Sequence, residues 1–339
     1  MNILVIGGTG FIGSQIVKRL QSNGHDITVF HRGKLKTDAK EILGERKNLA
    51  DFTDEFEKLK PQAVVDVICY TEQDALDLTE TFRGIAKRVV VLSSQDVYRA
   101  FGRVWRQEDE TIEPMPLAEN APLRSKTFYY RDFAENEDDL KFNYSKTLVE
   151  KVVMNDAELG GTILRVPMVY GIGDHKHRFF EYIKRMDDRR PYILLPDDRE
   201  NWRWTRGYVE NVAEAIALAA TDERAKNQIY NVGEKTVLTE RKWIETLARE
   251  IGWKGEIVVI AKNLMSESTE TDINLSQDII ADTSKIRRQL NFKEIVSRDE
   301  AIKKTIDWER KNPPVTIDAK EFDYEAEDKI LKQLKNYNV

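Results

Sequence analysis

The chain has 339 residues, of which 41 % are hydrophobic and 33 % are charged, an ordinary composition for a globular protein of roughly two structural units. The formal net charge of −6 disfavours nucleic acid as a partner, because such binding needs a basic surface that displaces counterions from phosphates. No apolar run approaches the ~18 residues that span a bilayer, so a soluble protein without membrane contact is predicted.

The N-terminus and the cysteine content both indicate the cytoplasm. The first apolar run, Ile3 to Ile6, is too short for the core of a secretory signal and leads straight into glycines. The single cysteine, Cys69, cannot form an internal disulfide, and we interpret it as a small buried residue in a reducing compartment.

Short β-branched runs alternate with helical stretches from residue 2 to about residue 170. The strand candidates, in chain order, are NILVI, DITVF, AVVDVI, RVVVLS and TILRV. This alternation is typical of a parallel sheet covered by helices on both faces. The predicted fold class is therefore α/β, a Rossmann-type doubly wound parallel sheet over residues 1–170.

Three further segments are predicted from periodicity. Residues 99–139 are polar and acidic without sustained periodicity, which predicts a long loop or lid. After residue 170 strands become fewer and helices such as VENVAEAIALAATDE follow, which predicts a smaller α/β substrate-binding subdomain over residues 171–315. Residues 316–339 form a C-terminal helical tail, with the apolar face of its EDKILKQLKN stretch docked on its own domain.

The first strand candidate leads into GGTGFIGSQIVKRL, a glycine turn followed by a helix. Gly7 permits the tight turn, Gly10 lets the backbone approach a pyrophosphate at the helix N-terminus, and Gly13 allows the helix to pack closely on the strand. The stretch therefore predicts dinucleotide binding. Residues Thr9, Phe11 and Ile12 of the same turn complete this part of the predicted cofactor site.

The second strand normally ends in an acid that binds the adenosine ribose, but here it ends in VFHRG, with His31 and Arg32. A cation at this point suits a 2′-phosphate, so NADP is favoured over NAD, the alternative being that Arg32 is a solvated surface charge. In LADFTD, Asp51 and Phe52 are candidates for contact with the adenine. A loop or helix-capping role for Asp51 is the alternative.

Six motifs in order, VVVLSSQDVYR, FNYSKTLVE, LRVPMVYGIGD, GYVENVAEAIALA, YNVGE and DTSKIRRQL, carry a resemblance that covers residues 1 to about 310. They resemble the extended short-chain dehydrogenase/reductases, specifically the NAD-dependent epimerase/dehydratase family that modifies nucleotide sugars. The resemblance implies a Rossmann domain with the dinucleotide and a C-terminal subdomain that closes over the substrate. It also implies that Ser94 helps to bind the substrate hydroxyl, and it adds Tyr70, Ser93, Lys146 and Pro167 to the cofactor site.

The catalytic pair of this family is Tyr-x-x-x-Lys, and Lys146 and Glu150 fit its frame. Phe142 then stands at the tyrosine position, without a hydroxyl. If one helix runs through this stretch, Tyr144 lies about 200° around it from Lys146 and points away from the cleft. The base stays open between Asp96, Tyr144, and Tyr129 or Tyr130 of the long loop. The predicted catalytic residues are Ser94, Asp96, Tyr144 and Lys146.

Two aromatic and cationic clusters, HKHRFFEYIKR and NWRWTRGY, fall where the family builds its nucleotide-diphosphate pocket. Arginine forks suit diphosphate oxygens and aromatic rings suit a base or sugar, so the substrate candidates are Arg178, Arg203, Trp204 and Arg206. A basic amphipathic helix and a structural tryptophan loop explain the same residues as an alternative. No metal site is predicted, because His175 and His177 lack a further ligand cluster.

We therefore expect an NAD(P)-dependent oxidoreductase or epimerase-like enzyme that acts by reversible hydride transfer on a nucleotide sugar or related small molecule. The alternative is a non-catalytic member that keeps the dinucleotide as a sensing ligand and binds a partner, since some relatives are known as RNA-binding proteins. The acidic balance weighs against RNA. A homodimer stays open.

Overall fold

The structure is a computed structural model that describes residues 1–109, 111–264 and 273–337. Its strands are β1 Asn2–Ile6, β2 Asp26–His31, β3 Lys40–Leu43, β4 Ala63–Asp66, β5 Arg88–Ser94, β6 Gly160–Val166, β7 Met168–Tyr170, β8 Tyr192–Pro196, β9 Arg206–Tyr208, β10 Gln228–Asn231 and β11 Glu256–Ile260. Its helices are α1 Phe11–Ser22, α2 Thr53–Leu59, α3 Glu72–Phe82, α4 Arg99–Val104, α5 Leu140–Asn143, α6 Lys146–Asn155, α7 Phe180–Asp187, α8 Asp197–Glu200, α9 Val209–Thr221, α10 Glu240–Ile251, α11 Ser284–Leu290, α12 Arg298–Lys311 and α13 Tyr324–Tyr337.

A seven-stranded sheet forms the centre of the molecule, in the order β10-β6-β5-β4-β1-β2-β3. All six neighbouring pairs are parallel. The chain moves outward from β1 first to β2 and β3 and then, on the other side, to β4. Ligands of such sheets bind beyond the carboxyl ends of the strands at this switch point. The predicted Rossmann-type α/β fold is confirmed.

Helices cover both faces of the sheet, which is why its inner strands are apolar throughout. Val5 and Val29 point to the face covered by α1 and α9, and Leu4 and Val64 to the face covered by α3 and α6. The apolar cluster on the α1 face continues without a break into the C-terminal part of the chain. The two parts of the molecule therefore share one core.

The C-terminal part is a mixed α/β layer, as predicted. It contains two small parallel sheets, β7-β9 and β8-β11, which α9 and α8 contact respectively, and a helical layer in which α10 packs on α7 and α12. The sheet of the first domain does not end at residue 170, however. Its outermost strand β10 and the helix α9, which packs on α1, both come from the later part of the chain.

The sequence did not indicate β3, because its residues are mostly exposed and it forms the edge of the sheet. A short polar edge strand has no buried face to impose a period of two.

The segment 99–139 is not a free loop. It begins with α4, and Glu113 accepts hydrogen bonds from Arg99 at 2.6 Å and pairs with Arg103 at 2.6 Å. The backbone N–H of Glu113 donates to Gln277, and Leu117 forms a β-bridge with Ala281. Glu110 of this segment lies outside the described residues. The described part of this segment is thus held against the C-terminal subdomain by hydrogen bonds.

The C-terminal helix α13 docks on α7 and the loop after it. The Tyr324 hydroxyl donates to Asp188 at 2.6 Å, and Arg185 pairs with Glu327 at 3.0 Å. Leu331 is buried. In the described ranges, no helix is long and apolar enough to cross a membrane.

Candidate active site

The glycine turn after β1 has the shape that a dinucleotide requires. Gly7 has a φ of +80°, and a Cβ on Gly13 would lie 2.2 Å from the Gly7 carbonyl oxygen, so helix α1 can approach β1 only with glycine there. Gly10 caps α1 with extended φ/ψ and without a side-chain hydrogen bond. A Cβ on Gly10 would meet nothing closer than 3.8 Å, which leaves open space over the helix N-terminus for a pyrophosphate.

The end of β2 carries a buried histidine and an exposed arginine. The His31 ring bonds Glu41 of β3 at 2.9 Å, while Arg32 is exposed. The sequence reading missed Glu41, because the strand that carries it was not recognised. A carboxylate thus stands beside the end of β2 although β2 itself supplies none.

The predicted adenine contacts differ in character. Asp51 is exposed, whereas the Phe52 ring packs edge-on against Phe30 at 5.0 Å and belongs partly to the core. Sequence reasoning also missed Arg46, which lies with Asp51 and Phe52 in a 3-10 helix, Arg46–Phe52. Arg46 donates a hydrogen bond at 3.1 Å to the fully buried Asp66 at the end of β4. Burial raises the pKa of Asp66, and the Arg46 guanidinium opposes that rise.

Ser93 and Ser94 at the end of β5 face different partners. The Ser93 hydroxyl donates to Glu150 at 2.6 Å, and Glu150 in turn pairs with the buried Arg165 at 2.6 Å. Ser94 accepts a hydrogen bond from the backbone N–H of Asp96 and stays half-buried. Ser93 is therefore part of a structural ion-pair network, while Ser94 is free to meet a ligand.

Three tyrosines converge on the carboxylate of Asp96. The Tyr144 hydroxyl donates to its Oδ2 at 2.9 Å, Tyr130 donates to the same oxygen at 3.2 Å, and Tyr129 donates to Oδ1 at 3.2 Å. Arg124 lies 4.1 Å from the centre of the Tyr129 ring and donates to the Asp96 backbone carbonyl. Two of the open candidates for the base come from the segment 99–139, which the sequence treated as a loop.

The predicted orientation of Tyr144 is wrong. Helix α6 begins at Lys146 with Ser145 as its N-cap, and the preceding helix α5 ends at Asn143. Tyr144 has extended φ and ψ of −62° and 122° and forms a β-bridge with Thr71. The helical angle between residues 144 and 146 therefore does not apply. A serine just before an apolar helical run was the signal for this start.

Phe142 lies on α5, not on the helix of Lys146. Its ring is half-buried and 4.5 Å from the Arg131 guanidinium, and its carbonyl accepts a hydrogen bond from Arg131. Phe142 therefore occupies the tyrosine position in sequence, but it does not lie one helical turn before Lys146 in the structure.

Lys146 is buried at the carboxyl ends of β4 and β5. Its Nζ donates to the carbonyls of Cys69 and Leu92, each at 2.7 Å, and lies 4.6 Å from the centre of the Tyr70 ring. Burial lowers the pKa of Lys146. Because β4 is the neighbour of β1, this cation stands at the switch point. Pro167, between β6 and β7, is buried two strands further along.

The four substrate candidates have different partners within the chain. Each of the three arginines faces a carboxylate of its own chain: Arg178 with Asp174 at 2.5 Å, Arg203 with Asp278 at 2.7 Å and Arg206 with Glu240 at 2.6 Å. Arg206 is buried between the rings of Phe179 and Trp243, and Trp204 packs on Trp202 and Phe101. These ion pairs and ring contacts agree with the structural alternative, and a role of the four residues in substrate binding stays a prediction.

Within the described ranges, no group of three or more His, Cys, Asp and Glu side chains could hold a metal ion. His177 instead bonds Glu309 at 2.7 Å, and Asp174 pairs with Arg178.

The sequence matches the NAD dependent epimerase/dehydratase family over residues 3–233. It is 24 % identical to the 2'-dehydrokanamycin reductase of Streptomyces kanamyceticus, over 84 % of this chain and 75 % of that protein. It is 23 % identical to the UDP-N-acetyl-alpha-D-glucosaminuronate decarboxylase of Bacillus cytotoxicus, over 91 % of this chain and 97 % of that protein. The fold is similar to that of MoeE5 in complex with UDP-glucose and NAD, with a TM-score of 0.66, 19 % identity, and coverage of 92 % of this chain and 99 % of that one. The chain therefore belongs to the NAD dependent epimerase/dehydratase family.

Proposed function

We propose that this protein is an NAD(P)-dependent enzyme that oxidises and reduces a hydroxylated carbon of a nucleotide sugar. The observation that carries the proposal is the position of Lys146, Ser94 and the Asp96 cluster at the carboxyl ends of β4 and β5, beside the open glycine turn after β1. A bound nicotinamide dinucleotide supplies the acceptor and donor of hydride. Lys146 and Tyr70 would hold its ribose end, and Gly10 its pyrophosphate.

The family and two of the similar proteins support a nucleotide sugar as the substrate. One of these proteins is a decarboxylase of a UDP-sugar, and the other is MoeE5 in complex with UDP-glucose. The internal ion pairs of Arg178, Arg203 and Arg206 argue against those residues as the diphosphate anchors. We expect the diphosphate to be bound by backbone N–H groups and polar side chains of the cleft instead. Ser94 is the nearest candidate to bind the reacting hydroxyl, because its side chain is half-buried beside Asp96.

We further propose that NADP(H) is preferred over NAD(H). Arg32, Lys34 and Lys36 are all exposed just after β2 and have no partner among the residues that the structure describes. Such cations attract a 2′-phosphate. Glu41, bonded to His31, acts in the opposite direction, because a carboxylate repels the phosphate.

Calorimetry with NADPH and NADH tests this preference. Arg32→Asp should weaken NADPH binding by about tenfold or more and leave NADH binding nearly unchanged. Glu41→Gln should strengthen NADPH binding. Arg288→Asp, at an exposed arginine on α11, is the matched control and should change neither affinity. Equal or tighter binding of NADH by the unmodified protein would contradict the preference.

Activity is tested by mixing the protein with NADP⁺ or NAD⁺ and UDP-glucose, UDP-glucuronic acid or UDP-N-acetylglucosamine. Hydride transfer is read from the near-ultraviolet absorbance of the reduced nicotinamide, and epimerisation by chromatography of the recovered sugar. If no sugar of this panel is oxidised or epimerised while the dinucleotide binds, the proposed function is wrong for nucleotide sugars.

A further inference from the structure

We propose that the proton of the substrate hydroxyl leaves through the phenol of Tyr144 to the carboxylate of Asp96. The base of the reaction is then a carboxylate reached through a tyrosine, in place of a tyrosinate paired with a lysine. This inference rests on the proposed function, because the alcohol and its oxidation are taken from there.

The convergence on Asp96 is unusual within this molecule. Tyrosine–carboxylate pairs as such are common in it, at Tyr170–Glu234, Tyr182–Glu240, Tyr208–Glu210 and Tyr324–Asp188. Each of these carboxylates accepts one phenol, whereas Asp96 accepts three. Among the described residues it alone has this arrangement, and it stands at the end of β5 next to Ser94. A structural pair needs one phenol, so the additional donors indicate a carboxylate held for another purpose.

Tyr144 is the member of the cluster that connects it to the proposed dinucleotide site, through Tyr70. Its bond to Asp96 is the shortest of the three, its ring stacks on Tyr70 with centroids 6.2 Å apart, and it is half-buried. Tyr129 is fully buried, and its hydroxyl also accepts a hydrogen bond from the Lys146 backbone N–H at 3.2 Å. Tyr129 is therefore a positioning residue. Tyr130 shares Oδ2 of Asp96 with Tyr144 and orients the carboxylate.

The lysine cannot take the place of Asp96 in this chemistry. The two bonds of Lys146 Nζ are to the carbonyls of Cys69 and Leu92, and its charge lies over Tyr70. The charge that contacts the Tyr144 hydroxyl is negative. Burial and then the Asp96 charge raise the pKa of Tyr144, so a free tyrosinate is disfavoured at neutral pH. A neutral phenol can accept a proton only while it gives up its own.

The proton transfer balances on these two residues. As the substrate C–H electron pair leaves with its hydrogen to the acceptor of the proposed function, the substrate O–H bond breaks and a new O–H bond forms on Tyr144. The former Tyr144 O–H bond breaks, and its proton bonds to Oδ2 of Asp96. The products are a ketone, a neutral Tyr144 and a protonated Asp96, which returns its proton along the same path in the reduction.

The first test reads the phenols and needs no substrate. The ultraviolet absorbance of ionised tyrosine is followed against pH in the wild type and in Tyr144→Phe, and the difference between the two curves isolates Tyr144. It should ionise above the ordinary tyrosine value of about 10. The same difference measured in an Asp96→Asn background should move to lower pH, because the neighbouring anion is gone. Ionisation of Tyr144 at or below the ordinary value in the wild type would overturn the relay.

The second test uses single-turnover reduction of NADP⁺ by the UDP-sugar that reacts in the panel. Asp96→Asn and Tyr144→Phe should each lower the rate by ~10² to 10⁴ while NADPH affinity stays within about twofold. The double variant should be no slower than the slower single variant, because two members of one relay act as a unit. Tyr324→Phe, which removes a tyrosine–aspartate bond in the C-terminal tail, is the matched control and should leave the rate unchanged.

The pH profile separates the relay from a purely structural role. Any decrease of the wild-type rate at low pH that depends on the relay should be absent from the residual activity of Asp96→Asn, because this variant has no carboxylate to accept the proton. A rate for Tyr144→Phe within a few-fold of the wild type would contradict the inference. If no sugar of the panel reacts, the proposed function fails on its own, while the phenol titration still decides whether Tyr144 and Asp96 are coupled.

Discussion

Gly10 and Gly13 stand three positions apart in the dinucleotide turn and make different demands on the backbone. A Cβ on Gly13 would collide with the Gly7 carbonyl at 2.2 Å, whereas one on Gly10 would be 3.8 Å from its nearest neighbour. Gly10 also has a φ of −77°, which alanine adopts readily. The folded protein therefore needs Gly13, and only the bound dinucleotide needs Gly10.

We predict that Gly10→Ala changes the free energy of unfolding by less than about 1 kcal/mol but weakens NADPH binding by at least about tenfold. The added methyl group lies where the pyrophosphate approaches the helix N-terminus. Gly13→Ala should lower both stability and affinity. Urea unfolding and calorimetry on the two variants measure this, and unchanged NADPH affinity in Gly10→Ala would show that the pyrophosphate binds elsewhere.

Phe142 shows how one residue can mislead when its element is misjudged. A helix continued back from Lys146 places Phe142 beside the lysine, where a tyrosine would gain a titratable hydroxyl. The chain is extended at Tyr144 and Ser145, so Phe142 instead stacks on Arg131. We therefore do not expect Phe142→Tyr to create a base.

At the scale of elements, the loop between β7 and α7 is held between two parts of the molecule. His175 lies edge-on to Phe11 of the dinucleotide turn, with centroids 6.3 Å apart. His177 bonds Glu309 of α12 at 2.7 Å and stacks on Trp308. Burial raises the pKa of Glu309 to about 7, the nearby Asp174 adds to the rise, and His177 opposes it. The carboxyl group with the raised pKa thus contacts the same loop that carries His175.

The sign of the pH effect follows from the raised pKa. The folded state holds the Glu309 proton more tightly than the unfolded chain, so this group makes the protein less stable as pH rises from about 4.3 to about 7. We predict that the effect of Glu309→Gln on the free energy of unfolding, measured relative to the wild type, depends on pH. The variant should gain up to about 3 kcal/mol of stability relative to the wild type between pH 5 and pH 8. Urea unfolding at both pH values measures it, and an equal difference at both would contradict the raised pKa.

At the scale of the whole molecule, the core is continuous from the Rossmann sheet into the C-terminal subdomain, but the last helix is attached differently. Helix α13 and the residues just before it are held by Tyr324–Asp188, Arg185–Glu327, the edge-to-face contact of Phe322 with Phe180 and one buried apolar side chain, Leu331. Partly exposed ion pairs of this kind contribute little each. The tail is thus an addition to a core that is complete without it.

We predict that a chain ending at residue 315 keeps its NADPH affinity within about twofold and loses on the order of 1–3 kcal/mol of unfolding free energy. Calorimetry and urea unfolding on the truncated and full-length chains measure this. Loss of cofactor binding in the truncated chain would mean that α13 supports the cleft through α7, contrary to the contacts observed.

The sequence by itself determined the fold class, the glycine turn and the cation at Lys146. These depend on short-range patterns: β-branched runs, glycines at fixed spacing and the four-residue spacing of Lys146 and Glu150. It also indicated which residue types were candidates for the base. Such features are local, so they can be recognised without knowing what packs against them.

Only the tertiary structure decided which of those candidates meet. Asp96 follows the end of β5, Tyr129 belongs to the segment 99–139, and Tyr144 lies just before α6. No local sequence pattern predicts that the hydroxyl oxygens of the two tyrosines lie within 3.2 Å of the Asp96 carboxylate. The same holds for the three arginines predicted to bind substrate, Arg178, Arg203 and Arg206, whose carboxylate partners lie up to 75 positions away in the chain. The physical reason is that a side chain's partner is set by how the layers pack, and a break of two extended residues before α6 was enough to turn Tyr144 toward Asp96.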